Sequence, residues 1–346
     1  MKTSALMPLV VGVPGTRLET EEREVLERVQ PSGVILFARN IESVDQTRRL
    51  VEDLRDLETA PFVAIDLEGG MVNRFSSLWG DLPTPAESGK AGRGAVRALG
   101  EAAGAACRNL GVHLDLAPVV DLECSGGCLG LQGRCFSADP ERVVTLARLF
   151  NEGLSTWGVT GCSKHFPGLG QVPVDTHEEL PVLDPGEEEL ARQLSVFEAL
   201  GPDFPAVMMA HVIVPGLGEA ERPASLSRTM VEMAAALPGS PVVLSDDLEM
   251  GALDDWGDLP ERVAAALAAR NHGILVCKAF DRLEDIVLHL TDLGASDSKI
   301  STRVTEMAAR MGTLRNEVCQ RSAAVPAPDD TTVAQLWERA RKEAAP

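Results

Sequence analysis

Short, nearly continuous runs of apolar residues recur along the chain at fairly even intervals. They span residues 6–13, 33–37, 62–66, 113–120, 160–166, 206–212, 241–246 and 273–277. Runs of this length and hydrophobicity are typical of parallel β-strands that are buried on both faces. The pattern therefore predicts eight strands of one parallel sheet.

Most of these runs are separated by stretches in which apolar residues repeat with helical periodicity. The clearest are residues 20–30, 44–57, 94–110, 140–157 and 260–270. Several begin with a residue that can cap a helix, such as Thr20 or Asp258. Strands that alternate with helices form parallel sheets with right-handed crossovers. Eight such units predict an α/β fold, a (β/α)8 barrel of the TIM type.

An open, doubly wound sheet is the alternative arrangement of the same elements. That fold binds dinucleotides at a glycine-rich turn after an early strand, and residues 12–15 lack the required glycine spacing. Residues 323–330 are rich in Pro, Ala and Asp and are interpreted as a linker. Residues 331–345 predict a short charged helix, packed on the barrel wall or on another subunit. We therefore predict a single barrel domain over residues 1–322, followed by a linker and C-terminal tail over 323–346.

The composition narrows the class of ligand and the compartment. Asp and Glu number 52 against 32 Lys and Arg, a formal net charge of −20, whereas nucleic-acid binding requires a clustered basic surface. No apolar run approaches the roughly 18 residues of a membrane helix. Residues 1–15 resemble a weak signal peptide, but Pro8 interrupts them and no Ala-x-Ala site follows, so we interpret them as the first strand. Seven cysteines, an odd number in a long chain, favour a reducing cytoplasm.

Polar side chains end many of the predicted strands. In a (β/α)8 barrel the catalytic residues come from the carboxyl ends of the strands. The polar residues at or just after those ends are Asp66, Glu68, Asp121, Lys164, His165, His211, Asp246 and Asp247. We therefore expect the chemistry of this protein at that end of the barrel.

The most informative motif begins with Lys164 and His165, continues through Phe-Pro-Gly, and ends with Asp175-Thr-His177. Asp175 can accept a hydrogen bond from the imidazole of His177 and fix its tautomer, as in an acid/base dyad. Such a histidine can transfer protons near neutral pH. The alternative is that Asp175 caps a turn and His177 is a solvated loop residue, and the surrounding motif argues against it.

Two further motifs supply carboxylates and arginines. The adjacent Asp246 and Asp247 offer a nucleophile, an electrostatic stabiliser of a cationic transition state, or a helix cap. Asp66 can accept hydrogen bonds from two hydroxyl groups of a ligand, or it can pair with Arg74. Arg134 is a candidate ligand donor, or a solvated loop residue.

In this order and at this spacing, the motifs resemble those of the single-domain bacterial β-N-acetylhexosaminidases of glycoside hydrolase family 3, along nearly the whole chain. The matching stretches are residues 33–37, 39–40, 65–74, 117–121, 133–134, 136, 164–168, 175–177 and 245–248. The resemblance implies a (β/α)8 barrel, without metal or cofactor, that removes N-acetylglucosamine in peptidoglycan recycling.

The same resemblance implies a role for each candidate residue. Asp246 matches the nucleophile that forms a covalent glycosyl-enzyme, His177 matches the general acid/base, and Asp175 matches its dyad partner. The positions that match residues holding the sugar in the −1 subsite are Asp66, Arg74, Arg134, Lys164 and His165. Most glycosidases use a second carboxylate in place of the histidine. We therefore expect a retaining, two-step hydrolysis of terminal β-N-acetylglucosamine from muropeptide fragments.

Three departures from the family pattern keep other functions open. Members commonly have Gln, Arg and His where this chain has Leu67, Met71 and Leu169, none of which is a predicted catalytic or sugar-contacting residue. The alternatives are a two-domain β-glucosidase, a phosphorolytic glycosidase of the same family, and an inactive sugar-binding protein. A single predicted domain argues against the first, and the presence of Asp246 and His177 argues against the last.

The remaining expectations concern the cysteines and the partners. Cys124, Cys128 and Cys135 follow a strand end at C-x3-C-x6-C spacing without a fourth ligand nearby, so inert loop thiols are favoured over a metal site or a redox pair. The expected partner is a small carbohydrate substrate, with neither nucleic acid nor membrane. A monomeric, cytoplasmic enzyme is the expected form.

Overall fold

A closed barrel of parallel strands forms the centre of the computed structural model, which describes residues 6–345. The strands are β1 Met7–Gly12, β2 Pro31–Leu36, β3 Phe62–Ile65, β4 Leu67–Gly69, β5 Val72–Asn73, β6 Leu114–Asp115, β7 Thr160–Phe166, β8 Ala206–Met209, β9 Val242–Asp247 and β10 Gly273–Val276. Around the barrel the order is β1-β2-β3-β6-β7-β8-β9-β10, and β10 pairs with β1. The predicted (β/α)8 fold is confirmed.

Helices follow most of the strands and cover the outside of the barrel. They are α1 Thr20–Val29, α2 Val44–Arg55, α3 Ser76–Trp79, α4 Pro85–Ala91, α5 Arg93–Leu110, α6 Cys128–Leu131, α7 Pro140–Thr156, α8 Glu187–Leu200, α9 Arg228–Ala235, α10 Leu259–Ala268, α11 Leu283–Ser296, α12 Ser298–Ala323 and α13 Asp330–Ala344. Asp258 caps α10 as predicted, since its side chain accepts a hydrogen bond from the N–H of Glu261 at 3.1 Å. Thr20 is instead the first helical residue of α1, and Glu19 takes the cap position.

The fourth predicted strand is shorter than its hydrophobic pattern indicates. The pattern predicts a strand over residues 113–120, whereas β6 contains Leu114 and Asp115 alone. Pro118 has no backbone N–H to donate to a ladder, and beyond β6 the backbone pairing is irregular. Leu116 donates to Ile65, and the carbonyls of Ala117 and Pro118 accept from β7. Val119 forms a single bridge to Lys164. The predicted segment is therefore paired with its neighbours over most of its length, but its regular strand is limited to two residues.

A two-stranded hairpin, β4 and β5, follows β3 directly, and no alternating pattern in the sequence predicts it. Its turn contains Gly69 and Gly70, whose φ angles of 101° and 56° lie in the left-handed region that favours glycine. A Cβ atom on Gly69 would also lie 2.4 Å from the carbonyl oxygen of Pro83. The hairpin therefore requires these glycines, and it fixes the position of Glu68 at the mouth of the barrel.

The interior of the barrel is filled by aliphatic side chains, and one long helix closes its amino-terminal end. Met311, Leu314 and Val318 of α12 belong to the same buried cluster as the inward-facing strand residues. The side chain of Met311 lies against Gly273. A Cβ atom added to Gly273 would lie 2.7 Å from Cε of Met311. With that end closed, the carboxyl ends of the strands are left for the functional site.

The C-terminal helix α13 packs on the barrel wall, one of the two locations considered from the sequence. Trp337 is fully buried, and its Nε1–H donates to the carbonyl of Gly80 at 3.2 Å. Asn109 of α5 donates to the carbonyl of Pro328 and to Asp330, both at 2.9 Å. The division at residue 322 stays a prediction, and residues 1–5 and 346 lie outside the described part. Among residues 6–345, no helix has the length and hydropathy needed to cross a bilayer.

Candidate active site

The carboxyl ends of the barrel strands surround a cavity of about 120 Å³. All the catalytic and sugar-binding residues predicted from the sequence line this cavity: Asp66, Arg74, Arg134, Lys164, His165, Asp175, His177 and Asp246. Apolar side chains, among them Phe37, Leu129 and Met250, line other parts of the wall. The fold therefore assembles one site from residues that are dispersed along most of the chain.

A network of ion pairs forms one wall of the cavity. The ammonium of Lys164 lies 2.7 Å from Asp66 Oδ1 and 2.7 Å from Glu68 Oε1. The guanidinium of Arg134 donates to Glu68 twice, from Nε to Oε2 and from Nη2 to Oε1, each at 2.8 Å. Arg74 is more distant, with Nη2 3.8 Å from Asp66 Oδ2. These mutual contacts hold the polar ends of five side chains in fixed positions.

Glu68 and Lys164 stay charged although they are buried. Burial raises the pKa of Glu68, but the cations of Arg134 and Lys164 outweigh that effect and hold the pKa well below its usual range. Burial likewise lowers the pKa of Lys164, and the carboxylates of Asp66 and Glu68 outweigh it and raise the pKa. The wall therefore presents ionised hydrogen-bonding groups at neutral pH.

Glu68 lines the cavity, and the sequence pattern does not assign it to any role. It is 1% exposed, and both of its oxygens are engaged by Arg134 or Lys164. Its only signal in the sequence is its place two residues after Asp66. Arg134 lies 66 residues away along the chain, so the pairing depends on the β4–β5 hairpin and on barrel closure.

His165 is oriented by a buried carboxylate. Its Nδ1 lies 2.8 Å from Oδ2 of Asp121, which also accepts the backbone N–H of His165 at 3.1 Å. The other oxygen of Asp121 accepts the backbone N–H of Leu169 at 2.6 Å. Because the carboxylate is an acceptor, Nδ1 carries a proton in this assignment, and in the neutral ring Nε2 accepts. Asp121 therefore sets which ring nitrogen faces a ligand.

The dyad expected from the Asp-x-His motif has the geometry of a hydrogen-bonded pair. Nδ1 of His177 lies 2.6 Å from Oδ1 of Asp175, which also accepts the backbone N–H of His177 at 2.9 Å. Burial raises the pKa of Asp175, but these hydrogen bonds outweigh it and lower the pKa. The loop is joined to the segment after β9, since the carbonyls of Thr176 and His177 accept N–H groups of Ala252 and Gly251 at 3.3 and 3.0 Å.

The two adjacent aspartates at the end of β9 have different environments. Burial raises the pKa of Asp246, but the imidazoles of His211 and His165 and the N–H of Asp247 at 2.8 Å outweigh it and lower the pKa. Burial and the carboxylate of Glu249 raise the pKa of Asp247 to about 6. Asp247 also accepts the N–H of Glu249 at 3.1 Å, a turn-capping contact. Asp246 is therefore the carboxylate available as an anion over the wider pH range.

His211 forms a hydrogen bond with the backbone at the end of β9. Its Nε2 lies 2.9 Å from the carbonyl of Asp247, which can only accept, so Nε2 donates. Nδ1 then accepts from the hydroxyl of Ser225 at 2.7 Å. Burial lowers the pKa of His211, which favours the neutral ring in which Nδ1 accepts. His211 is therefore a positioning residue for the aspartate pair.

Replacing Asp247 with asparagine is expected to stabilise the protein at alkaline pH. A raised pKa means that the native state binds this proton more tightly than the unfolded chain does. The wild type therefore loses stability as the pH rises from about 4 through 6, by about 3 kcal/mol for a shift of this size. The Asn side chain keeps an oxygen that can accept the N–H of Glu249, and it has no carboxyl proton to titrate. Urea unfolding at pH 4.5 and pH 8 measures the difference.

The matched control for that variant is Asp292→Asn, an exposed carboxylate of α11. It is expected to leave the pH dependence of the free energy of unfolding unchanged. If Asp247→Asn and Asp292→Asn show the same pH dependence as the wild type, the assignment of a raised pKa to Asp247 is wrong.

The three departures from the family pattern lie in different environments. Leu67 is fully buried, and its N–H donates to Asp115 Oδ1 at 2.9 Å. Met71 is 63% exposed at the hairpin turn. Leu169 is buried and lines the cavity. Of these positions, Leu169 is thus the one that can influence a bound ligand directly.

The loop cysteines are unpaired in the structure. Cys128 lines the cavity, and burial followed by the nearby carboxylate of Asp175 raises the pKa of its thiol. Burial also raises the pKa of the Cys135 thiol. Among the described residues, no group of three or more His, Cys, Asp or Glu side chains is placed to hold a metal ion. Thiols with raised pKa values, such as those of Cys128 and Cys135, are poor nucleophiles and ligands.

Known proteins resemble this chain in both sequence and structure. Residues 5–309 match the glycosyl hydrolase family 3 N-terminal domain. The β-hexosaminidase of Idiomarina loihiensis is 31% identical over 343 residues, which cover 96% of this chain and 98% of that protein. A family 3 β-N-acetylglucosaminidase from Paenibacillus sp. str. FPU-7 has a TM-score of 0.87 at 25% identity, over 99% of this chain and 68% of that one. NagZ from Neisseria gonorrhoeae in complex with N-trifluoroacetyl-D-glucosamine has a TM-score of 0.80 at 25% identity, over 99% of both chains.

Proposed function

The chain belongs to glycoside hydrolase family 3 and is a β-N-acetylhexosaminidase, and from this premise we propose a retaining mechanism with Asp246 as nucleophile and His177 as general acid/base. The observation that carries the proposal is the common location of three groups. The Asp246 carboxylate, the Asp175–His177 dyad and the ion-pair wall of Lys164 and Arg134 all line the same cavity. This chemistry requires at least a carboxylate and a proton donor that face the same sugar.

In the first step, the glycosidic bond is exchanged for a bond to the enzyme. Asp246 attacks the anomeric carbon, and His177 in its protonated form donates a proton to the departing oxygen. The aglycone leaves as an alcohol, and the sugar remains as an ester of Asp246. Asp175 stays ionised, holds the ring through Nδ1, and stabilises the imidazolium from which the proton is donated.

In the second step, water releases the sugar. The neutral imidazole of His177 takes a proton from the water, whose oxygen attacks the anomeric carbon and expels the Asp246 carboxylate. Each displacement inverts the anomeric centre, so the product keeps the β configuration. His177 is again protonated and Asp246 again an anion at the end of the cycle.

The ion-pair wall supplies the groups that we assign to the bound N-acetylglucosamine. Lys164, Arg134 and Arg74 are donors, Asp66 is an acceptor, and His165 contributes Nε2. Charged donors and acceptors of this kind form the stronger hydrogen bonds with sugar hydroxyl and acetamido groups. The chain contains no tyrosine, so recognition relies on these polar contacts rather than on tyrosine stacking.

Muropeptide fragments are the substrates that the family resemblance implies. We propose that N-acetylglucosamine linked to anhydro-N-acetylmuramic acid is hydrolysed in preference to chitobiose, and product analysis on the two disaccharides tests this choice. The proposed active form is a monomer, because the side chains that we assign to the reaction all belong to one chain. The proposed compartment is the cytoplasm, in agreement with seven unpaired cysteines.

The function is tested by following product configuration during hydrolysis of 4-nitrophenyl N-acetyl-β-D-glucosaminide. Proton NMR in D2O is expected to show the β anomer of N-acetylglucosamine first, followed by slow mutarotation. Release of the α anomer first would exclude the retaining mechanism while leaving the hydrolase assignment in place. Sugar binding without any release of 4-nitrophenol would instead favour an inactive binding protein.

Replacing His177 with alanine is expected to slow both steps by removing the proton donor and acceptor. General acid/base groups contribute about 10²–10⁴-fold, and we expect a loss of about 10³-fold in kcat/KM with a sugar aglycone. A 2,4-dinitrophenyl leaving group needs little protonation, so the loss in kcat/KM should be much smaller with that substrate. Steady-state kinetics on the two substrates measures the contrast.

The control for this variant is His289→Ala, a histidine of α11 outside the cavity, with no expected effect on either substrate. Equal losses with both leaving groups in His177→Ala would indicate a structural role and contradict the acid/base assignment.

A further inference from the structure

A second cavity, of about 840 Å³, lies at the amino-terminal end of the barrel, opposite the active site. Its walls come from the end of α2 and the start of β3, from the end of α5 and the start of β6, and from α12. Three arginines, Arg55, Arg108 and Arg315, and the imidazole of His113 line it. The hydrolase mechanism uses none of these residues.

The three arginines have no carboxylate partner within residues 6–345. Arg108 donates through Nε to the carbonyl of Val325 at 2.8 Å. Arg315 donates to the carbonyl of Thr59 at 2.6 Å and to the side chain of Asn316. The side chain of Arg55 makes no hydrogen bond or ion pair with the described part of the chain. Unpaired arginines converging on one cavity are unexpected in a chain with a net charge of −20.

His113 adds a hydrogen-bond donor to this cavity. It is 4% exposed, and its Nδ1 accepts the backbone N–H of Val63 at 3.0 Å. Burial and the charges of Arg55 and Arg108 lower its pKa to about 4, so the ring is neutral at pH 7 and its proton lies on Nε2. That Nε2–H has no partner among the described residues, and the ring lines the cavity.

Arginines and carboxylates both line the cavity, and the two sets differ in their positions and contacts. Burial and the charge of Arg55 lower the pKa of Arg108, and Arg55 and Arg108 are the charges that act on His113. Three carboxylates, Glu52, Asp56 and Glu58, also line the cavity. These three are exposed, as is Arg55, whereas Arg108 and Arg315 are partly buried, and none of the carboxylates forms an ion pair with the arginines. The charges of Arg55 and Arg108 act on each other without an ion-paired carboxylate, and a bound anion relieves that repulsion.

We propose that this cavity binds a small phosphorylated anion through Arg55, Arg108, Arg315 and the Nε2–H of His113. The planar fork of a guanidinium matches the oxygens of a phosphate group. The presence of three cationic groups favours a ligand with several negative charges, and the volume exceeds that of a single phosphate. The proposal concerns the end of the barrel remote from the sugar site and is independent of the hydrolase mechanism.

Binding of inorganic pyrophosphate, measured by isothermal titration calorimetry, tests the proposal. Titrations are made at constant ionic strength with chloride as the reference anion. Saturating N-acetylglucosamine is present so that the sugar site is occupied. One binding event per chain is expected, with a melting temperature that rises with pyrophosphate concentration because the ligand binds the folded state. Inorganic phosphate is expected to bind at the same place more weakly.

Arg55→Gln is the informative variant, since Arg55 has no structural contact whose loss would unfold the protein. Its affinity for pyrophosphate is expected to fall about tenfold, the size of one charge-assisted hydrogen bond, with unchanged hydrolase kinetics. The matched control is Arg49→Gln, an exposed arginine of the same helix that does not line the cavity. Arg315→Lys keeps the charge, removes the fork and is expected to weaken binding as well.

Several results would overturn the proposal. One is the absence of both heat and melting-temperature shift with pyrophosphate and with phosphate. Another is an equal loss of affinity in Arg55→Gln and Arg49→Gln, which would indicate general screening of surface charge. A third is competition between N-acetylglucosamine and pyrophosphate, which would place the anion in the sugar site.

Discussion

Asp246→Asn is expected to lower kcat/KM for aryl N-acetyl-β-glucosaminides by on the order of 10⁴-fold or more, since removal of a catalytic nucleophile has effects of this size or larger. Asparagine keeps an oxygen that can accept the N–H of Asp247, which in the wild type lies 2.8 Å from Asp246 Oδ1. The fold should therefore be retained. Steady-state kinetics and circular dichroism of the purified variant measure the two quantities.

The adjacent residue provides the matched control. Asp247→Asn removes a carboxylate from the same strand end, and we expect its activity to stay within about tenfold of the wild type. Both aspartates line the cavity, so proximity alone does not distinguish them. Losses of similar size in the two variants would leave the nucleophile unassigned and contradict the role given to Asp246.

The small variant Asp246→Gly adds a chemical criterion. Azide can occupy the space left by the carboxylate and attack the anomeric carbon of a dinitrophenyl substrate in a single displacement. The expected product is the α-glycosyl azide, with inverted configuration, in the presence of azide and not of chloride. Rescue that yields N-acetylglucosamine and no glycosyl azide would argue against direct replacement of the nucleophile.

Glu68→Gln is expected to have the second largest effect, on both stability and sugar binding. The carboxylate is buried and interacts with Arg134 through two hydrogen bonds and with Lys164 at 2.7 Å. Its removal leaves two buried cations without their shared anion, a change that costs about 3–5 kcal/mol of folding free energy. The displaced donors should also lower kcat/KM by about 10³-fold.

Stability and catalysis are measured separately for this variant. Urea unfolding gives the free energy, and kinetics below the unfolding transition give KM and kcat. Glu68→Asp keeps the charge on a shorter side chain and is expected to recover part of both properties. Glu87→Gln, at an exposed helix cap outside the cavity, is the control and should cost about 1 kcal/mol or less. Wild-type KM and stability in Glu68→Gln would contradict the proposed positioning role.

The element order could be predicted because a closed parallel barrel buries both faces of each strand. The runs at 206–212 and 273–277 are apolar at almost every position for this reason, and β8 and β10 begin at the first residue of each run. The same criterion predicts too long a regular strand at residues 113–120, because hydrophobicity does not distinguish a regular ladder from irregular backbone pairing. It also misses the β4–β5 hairpin, whose short strands carry no sustained alternation.

The candidate site could be predicted in part because polar residues at strand ends are local features. Asp175 and His177 are two positions apart, so their hydrogen bond follows from the motif itself. The partners of Arg134 do not follow in this way. The loop sequence around Arg134 contains no motif that indicates a partner, and only the structure shows that its guanidinium pairs with the carboxylate of Glu68.

The sequence by itself determined the barrel, the identity of the strand-end residues and the dyad, because each depends on periodicity or on neighbours along the chain. Only the tertiary structure decided which charged side chains lie close enough to interact. Glu68 joins Lys164 and Arg134 across the mouth of the barrel. Arg55 and Arg315, from α2 and α12, face one cavity at its other end. Electrostatic energy depends on distance and burial in space, and barrel closure sets both for residues that are remote in sequence.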